Sequence, residues 1–298
     1  MRFDLSARLA WLAVAGLAAG AGAAWIVSMA GPGRPVVPDV PLAVPVAILV
    51  GWSFIGSGLL SWQPGQQNRL GLVLVFTGFA WFASMLSDAH NPVLFTAGQV
   101  LYPFYYAGFL YLILSFPSGR LRGRLDRALM VVTIVLVVVV NTAGLLVADP
   151  QMLCRNCPAN LLEVAREDTA MMGLTYLVRI GAIAVALTGI GLLVGRWRRA
   201  SRPQRRAVMP VVVAGAVAFA VLIASYGAAV LGAATADVFG RVAWFALAAV
   251  PVAVLVMFIQ RRLAQGAVAG LVIELGGRGA AGGIARPGAY GPAGCDLT

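Results

Sequence analysis

Eight separate stretches of about 20 apolar residues, each closed by a turn or a charge, leave this chain lipid as its solvent. A hydrocarbon core about 30 Å thick is crossed by roughly 20 helical residues, and in it only helices and closed barrels satisfy their own backbone. The stretches are 9–30, 42–62, 70–86, 94–116, 128–148, 172–195, 207–231 and 242–260. Between them stand Gly31-Pro32-Gly33, Gln63-Pro64-Gly65, Asn91-Pro92, Pro117-Ser118-Gly119, Asp149-Pro150 and the Arg196–Arg199 run. Composition agrees: 60% of the 298 residues are apolar and 11% are charged, where a soluble domain carries roughly 25%. The expectation is an all-α polytopic membrane protein of about eight transmembrane helices. The first stretch follows Arg2 and Arg8 as a signal peptide would, but it is too long for one and seven more follow, so it reads as a retained helix.

Arginine sets the orientation, because cytoplasmic loops collect basic residues. With the N-terminus inside, inner segments hold fifteen arginines and outer segments four: Arg34, Arg155, Arg166 and Arg241. An even number of spans then returns the C-terminus to the cytoplasm of a multi-pass protein of the cell membrane. The net charge of +11 is spread over short inner loops, which fits anionic lipid and not nucleic acid. The lipid contacts are assigned to Arg120, Arg122, Arg124 and Arg127 in one loop and Arg196, Arg198, Arg199, Arg205 and Arg206 in another. Small residues recur every four positions at Gly16, Gly20 and Ala24, at Ser53, Ser57 and Ser61, and at Gly191 and Gly195; such faces let helices approach closely.

The one charge well inside a span is Arg179, seven residues beyond Met172 and so roughly 10 Å below the outer surface at 1.5 Å per residue. Intramembrane charges are costly and usually face a bundle interior or a cavity. Gln99, Asn141, Ser225 and Tyr226 fall at comparable depth, and Gln99, Tyr102 and Tyr106 share one helix face. Asp88, ending the third span, offers a counter-charge. Two readings stay open. Either these residues line an outward-facing sensing pocket, or Arg179 snorkels to the headgroups and the tyrosines form an interfacial belt.

Cys154 and Cys157, in the longest outer loop, can close a disulfide, stay as free thiols or act as a redox pair. The lone His90 reads as a solvated loop residue, and no metal or cofactor site is expected. Neither HExxH, GxSxG nor a Walker A loop occurs, so no catalytic mechanism can be built.

Several strings, in order, resemble the N-terminal membrane half of actinobacterial sensor histidine kinases, the type paired with LuxR/NarL-like response regulators. They are Trp62–Gly71, Gly78–Trp81, Leu114–Leu121, Cys154–Pro158, Arg196–Ala200 with Gln204–Arg206 and Pro210, and Arg261–Leu275. The resemblance covers roughly residues 45–275. It implies a sensory input domain at 1–262 and the cytoplasmic start of a signal helix at 263–275, which in that family leads to a His-bearing dimerisation helix and an ATPase domain. Past Leu275 the resemblance ends, and 276–298 reads as a Gly/Pro-rich disordered tail. The expectation is therefore a truncated or orphan input domain without kinase chemistry, acting as a homodimer or with an intact kinase. The rival is a small-molecule or lipid transporter, against which stand few broken helices and no evident inverted repeat.

Overall fold

A computed structural model describes residues 5–30, 36–40, 42–62, 69–115, 119–121, 123–148, 157–199, 201–256 and 259, with 5, 6, 202–208, 210 and 211 described by backbone alone. The expected signal helix at 263–275 and the tail at 276–298 lie outside the described residues. Every regular element among the described residues is helical, as a chain in lipid requires. The helices are α1 (Leu5–Met29), α2 (Ala43–Ser61), α3 (Arg69–Ser84, prolonged by a 3₁₀ turn at Met85–Asp88), α4 (Pro92–Leu101) and α5 (Phe104–Ser115). Then come α6 (Arg124–Ile134), a π turn (Val135–Val140), α7 (Asn141–Val147), α8 (Asp168–Arg199), α9 (Arg202–Val230) and α10 (Ala236–Val256).

Taking α4 with α5 and α6 with α7, these make eight helices long and apolar enough to cross a membrane. The protein is a multi-pass membrane protein. The ends move by a few residues from those hydropathy suggests. Thus α8 starts at Asp168 and α10 at Ala236, because Asp168 and Asp237 sit in first turns, where a carboxylate suits the helix dipole.

Burial grades the spans. In α2, α3 and α4–α5, 56–61% of the apolar window is buried, against 17–22% in α1, α6–α7, α8 and α9, and α10 lies between at 39%. The first group forms the centre. The second carries exposed apolar side chains such as Trp11, Val131 and Ile180, which lipid accommodates. A close seam joins α2 to α3, where a Cβ on Gly58 would lie 2.7 Å from the Gly71 carbonyl oxygen. The small face of α1 makes room for Trp52, whose indole donates to the Gly16 carbonyl at 3.2 Å. Ser53, Ser57 and Ser61 are buried on α2. Gly191 and Gly195 are different: no atom of the described residues lies within 4 Å of a Cβ built on either, so among those residues the expected packing face of the sixth span makes no such contact.

Two buried carboxylates hold connections in place. Asp88 accepts from the backbone N–H groups of Val36 and Val37 at 3.1 and 3.2 Å, tying the α1–α2 connection to the end of α3. Asp126 accepts from Gly123 N–H at 3.0 Å, capping α6, and pairs with Arg196 of α8 at 2.6 Å. Arg196 also donates to the Leu114 carbonyl, so a single guanidinium joins the ends of α5, α6 and α8. Asn91 caps α4 by accepting from Val93 and Leu94 N–H at 2.9 and 3.3 Å, with Pro92 in the first turn.

Gly98 of α4 presses on the 3₁₀ turn, and a Cβ there would lie 2.1 Å from Ser87 N. Gly98→Ala should therefore cost roughly 1–3 kcal/mol as an overpacked contact with backbone. Gly191→Ala should be neutral or stabilise by up to about 1 kcal/mol, because it only removes helix-disfavouring freedom. Thermal unfolding in a non-ionic detergent compares the two variants, and equal shifts would contradict this packing.

Candidate functional site

Pro103 has no N–H, so the carbonyl of Gln99 loses the donor that a continuous helix would supply. The fourth span breaks there: α4 stops at Leu101, Tyr102 and Pro103 form a turn, and α5 begins at Phe104. The orphaned Gln99 carbonyl accepts instead from Asn141 Nδ2 at 3.2 Å. Asn141 directly follows the π turn of the fifth span. Single π turns insert a residue and re-aim the side chains beyond them, frequently at functional sites. Two spans expected to run unbroken are thus irregular, and a single hydrogen bond joins the irregularities.

The tyrosines beside the break are fixed from the core. Tyr105 stacks on Tyr106 at 4.1 Å and meets Trp81 edge-on at 5.0 Å. The Trp81 indole donates to the Ala47 carbonyl of α2 at 2.8 Å. Tyr102 and Tyr106, one helical turn apart, share a hydrogen bond of 3.0 Å between their hydroxyls.

Around this frame lie two chambers. A polar one of about 190 Å³ is lined by Gln99, Asn141, Thr175, Arg179 and Tyr226 together with apolar residues. A mainly apolar one of about 130 Å³ has Phe109, Leu110, Val185, Phe219 and Leu247 in its wall, with Tyr102 and Tyr106. Asn141, Val178 and Tyr226 line both, so the two are neighbours across a shared wall. Among the described residues no acidic residue lines either chamber. Arg179 is half-buried, and no carboxylate among the described residues lies within ion-pair distance of it.

Residues 157–167 close the end of α7 beside the polar chamber. Asn160 donates to the Leu145 carbonyl at 2.6 Å, and Val164 N–H to Leu146 at 2.9 Å. Leu161 N–H donates to the Thr96 hydroxyl of α4 at 3.0 Å. The last carbonyls of a helix lack partners within it, and this loop supplies them. Cys157 is disulfide-bonded; Cys154 and Cys295, the other cysteines of the chain, lie outside the described residues.

Of the residues expected at a sensing site, Arg179, Asn141, Gln99 and Tyr226 meet in the polar chamber, and Tyr102 and Tyr106 line the apolar one. Asp88 does not join them. Its carboxylate is engaged by Val36 and Val37, so it supplies no counter-charge to Arg179. Arg196, expected against lipid headgroups, is turned inward to Asp126 and Leu114. The side chains of Arg120, Arg124, Arg127, Arg198 and Arg199 are exposed, while those of Arg122, Arg205 and Arg206 lie outside the described residues. His90 is exposed, with Nε2 at 3.0 Å from the Met29 carbonyl. Thr175, Thr133 and Phe219 were not foreseen. Pro103, four residues after Gln99, was the available signal for the break.

No family model, curated protein or solved structure matches this chain.

The Gln99–Asn141 bond can be tested through its cause. Asn141→Leu should cost roughly 1–3 kcal/mol, the penalty for a buried carbonyl left without a donor. In a Pro103→Ala background, residue 103 regains an N–H for Gln99, and the same change should cost much less. Thermal unfolding of the four proteins measures the coupling; equal costs in both backgrounds would remove this account of Asn141.

Proposed function

We propose that this chain is a membrane-embedded sensory domain of the two-component type, with the Arg179 cavity as its sensing site. Both termini are cytoplasmic, and the arginine-rich ends of the helices face the cytoplasm. The observation that carries the reading is the course of α8, one helix of 32 residues from Asp168 to Arg199. It holds Arg179 in the cavity wall and Arg196 in the clamp with Asp126, about 26 Å further along at 1.5 Å per residue. A shift of α8 at the cavity reaches the ends of α5 and α6 without any flexible link. The resemblance of 261–275 to a kinase signal helix supplies the output, through a dimer of this chain or one with an intact kinase.

Transport is the rival, and the broken fourth span is the observation in its favour, since transporter sites are commonly built at interrupted helices. Against it, each break here is a single turn, and the orphaned carbonyl is closed by Asn141.

Reporter fusions after Arg127 and Arg206 should score cytoplasmic, and fusions near Asn160 should score external. A cytoplasmic Asn160 would invert the arrangement. For signalling, residues 1–275 joined to the catalytic half of a LuxR/NarL-coupled kinase should give an output that Arg179→Gln changes several-fold. Arg198→Gln, on the exposed end of α8, should leave it unchanged. An output indifferent to Arg179, with Arg179-dependent solute uptake into proteoliposomes, would select transport.

A further inference from the structure

The two neighbouring chambers differ in chemistry, and that difference specifies a ligand. At one end stands a guanidinium that is charged at every accessible pH and has five N–H donors. Among the described residues no carboxylate neutralises it and none lines either chamber. Two of the residues beside it carry groups that can donate. Tyr226 lines both chambers, and Asn141 keeps one N–H after its bond to Gln99. Thr175 gives its proton to the Met171 carbonyl at 2.9 Å and so offers only lone pairs. The guanidinium, as the one formal charge among the lining residues, sets the sign, and the polar chamber favours negative charge.

Past the shared wall of Asn141, Val178 and Tyr226 the lining becomes Phe109, Val185, Phe219 and Leu247. Only apolar substance gains by entering there. The hydroxyls of Tyr102 and Tyr106, residues of this wall, bond each other, but Thr133 Oγ1, a further residue of the wall, is buried without a hydrogen-bond partner among the described residues. A buried hydroxyl so placed calls for a ligand oxygen or a water. The chambers hold about 190 and 130 Å³, and each is below the roughly 300–1,000 Å³ of common small-ligand pockets. A ligand reaching both must pass the side chains of Asn141, Val178 and Tyr226, and a two-chain phospholipid is too large.

We infer that the cavity binds a small anionic amphiphile, a carboxylate or comparable monoanion on one short alkyl chain or ring. The anion lies against Arg179, Tyr226 and Asn141, and the apolar part extends toward Phe219 and Leu247. The inference rests on the cavity being the site of the proposed sensory function and adds the class of ligand. Such an acid can come from the bilayer, as a released fatty acid, or from the aqueous side, as a short-chain or aromatic acid. The recognition chemistry is the same.

The test is saturation binding of radiolabelled decanoate to the full-length protein in phosphatidylcholine nanodiscs, against empty nanodiscs. Saturable binding is expected, and decanol or decyltrimethylammonium in excess should not displace it. Arg179→Gln should weaken it by about tenfold or more, the loss of a charge-assisted contact, while Arg198→Gln should leave it unchanged. Phenylacetate or hexanoate competing better than decanoate would assign the aqueous source, and the reverse order the bilayer source. Displacement by decanol as effective as by decanoate, or affinity unchanged in Arg179→Gln, would overturn the inference. So would the absence of saturable binding by any of the three acids. If the kinase chimaera still depends on Arg179 while no acid binds, the ligand class fails and the sensory reading stands. If decanoate binds but the chimaera is silent to Arg179→Gln, the sensory reading fails alone.

Discussion

A backbone carbonyl in hydrocarbon must find a donor inside the protein, because lipid offers none. The region around Gln99 follows from that requirement. Pro103 withdraws the donor from the Gln99 carbonyl, and Asn141 of another span supplies one at 3.2 Å. That bond sets the rotational position of α7 against α4, and the π turn before Asn141 lets it be met. The same requirement acts at the end of α7, where the carbonyls of Leu145, Leu146 and Val147 accept from the 157–167 loop. Loop and cavity wall are therefore built by one rule, and a change in one bears on the other.

Charge obeys a parallel rule. A buried ion without partners is expensive, and the usual solution is an opposite charge with further hydrogen bonds. Asp126 has Arg196 and the Gly123 N–H. Asp88 has two backbone N–H groups. Arg179 departs from the pattern, with no carboxylate among the described residues to pair with it. It faces a chamber and not packed side chains. Insertion scales put an arginine at a helix centre at about 2.5–3.5 kcal/mol, and access to a hydrated cavity lowers that figure. A guanidinium kept in this position without internal neutralisation is better explained by what enters the chamber than by stability.

The eight spans were legible in the sequence because hydropathy is a local property, summed over about 20 neighbouring residues. Arg179 was legible for the same reason: one charge in an apolar run is visible without knowing what surrounds it. Its polar company was inferred from depth alone, and depth places Asp88 as a plausible partner as readily as Asn141. Which of the two faces Arg179 depends on helix rotation, and that is fixed by long-range contacts such as the bond from Asn141 to Gln99. Arg196 was misassigned similarly. In sequence it belongs to a basic run, but its partner Asp126 is on another helix, and only the packing of α6 on α8 shows that the charge points inward.

These contacts also decide which parts can move against which. Tyr105 on α5 is buried against Trp81, and Phe109 meets Phe54 edge-on, while Tyr106, Leu110 and another part of Phe109 line the apolar chamber. The fourth span is thus held to α2 and α3 on one side and borders the cavity on the other. Its far wall is made by α6–α7, α8 and α9 with Leu247 of α10, and only 17–22% of the apolar window of the first three spans is buried. Packed interfaces between close-fitting helices do not deform continuously. A ligand that fills the cavity would therefore act on the lipid-facing helices more than on α2–α3, with the Pro103 break and the π turn as the compliant points. Because α8 ends in the clamp at Arg196, a displacement of its cavity face would strain the contacts with Asp126 and Leu114. The Arg196 clamp is thus the first place where an occupied and an empty cavity would differ at the arginine-rich end.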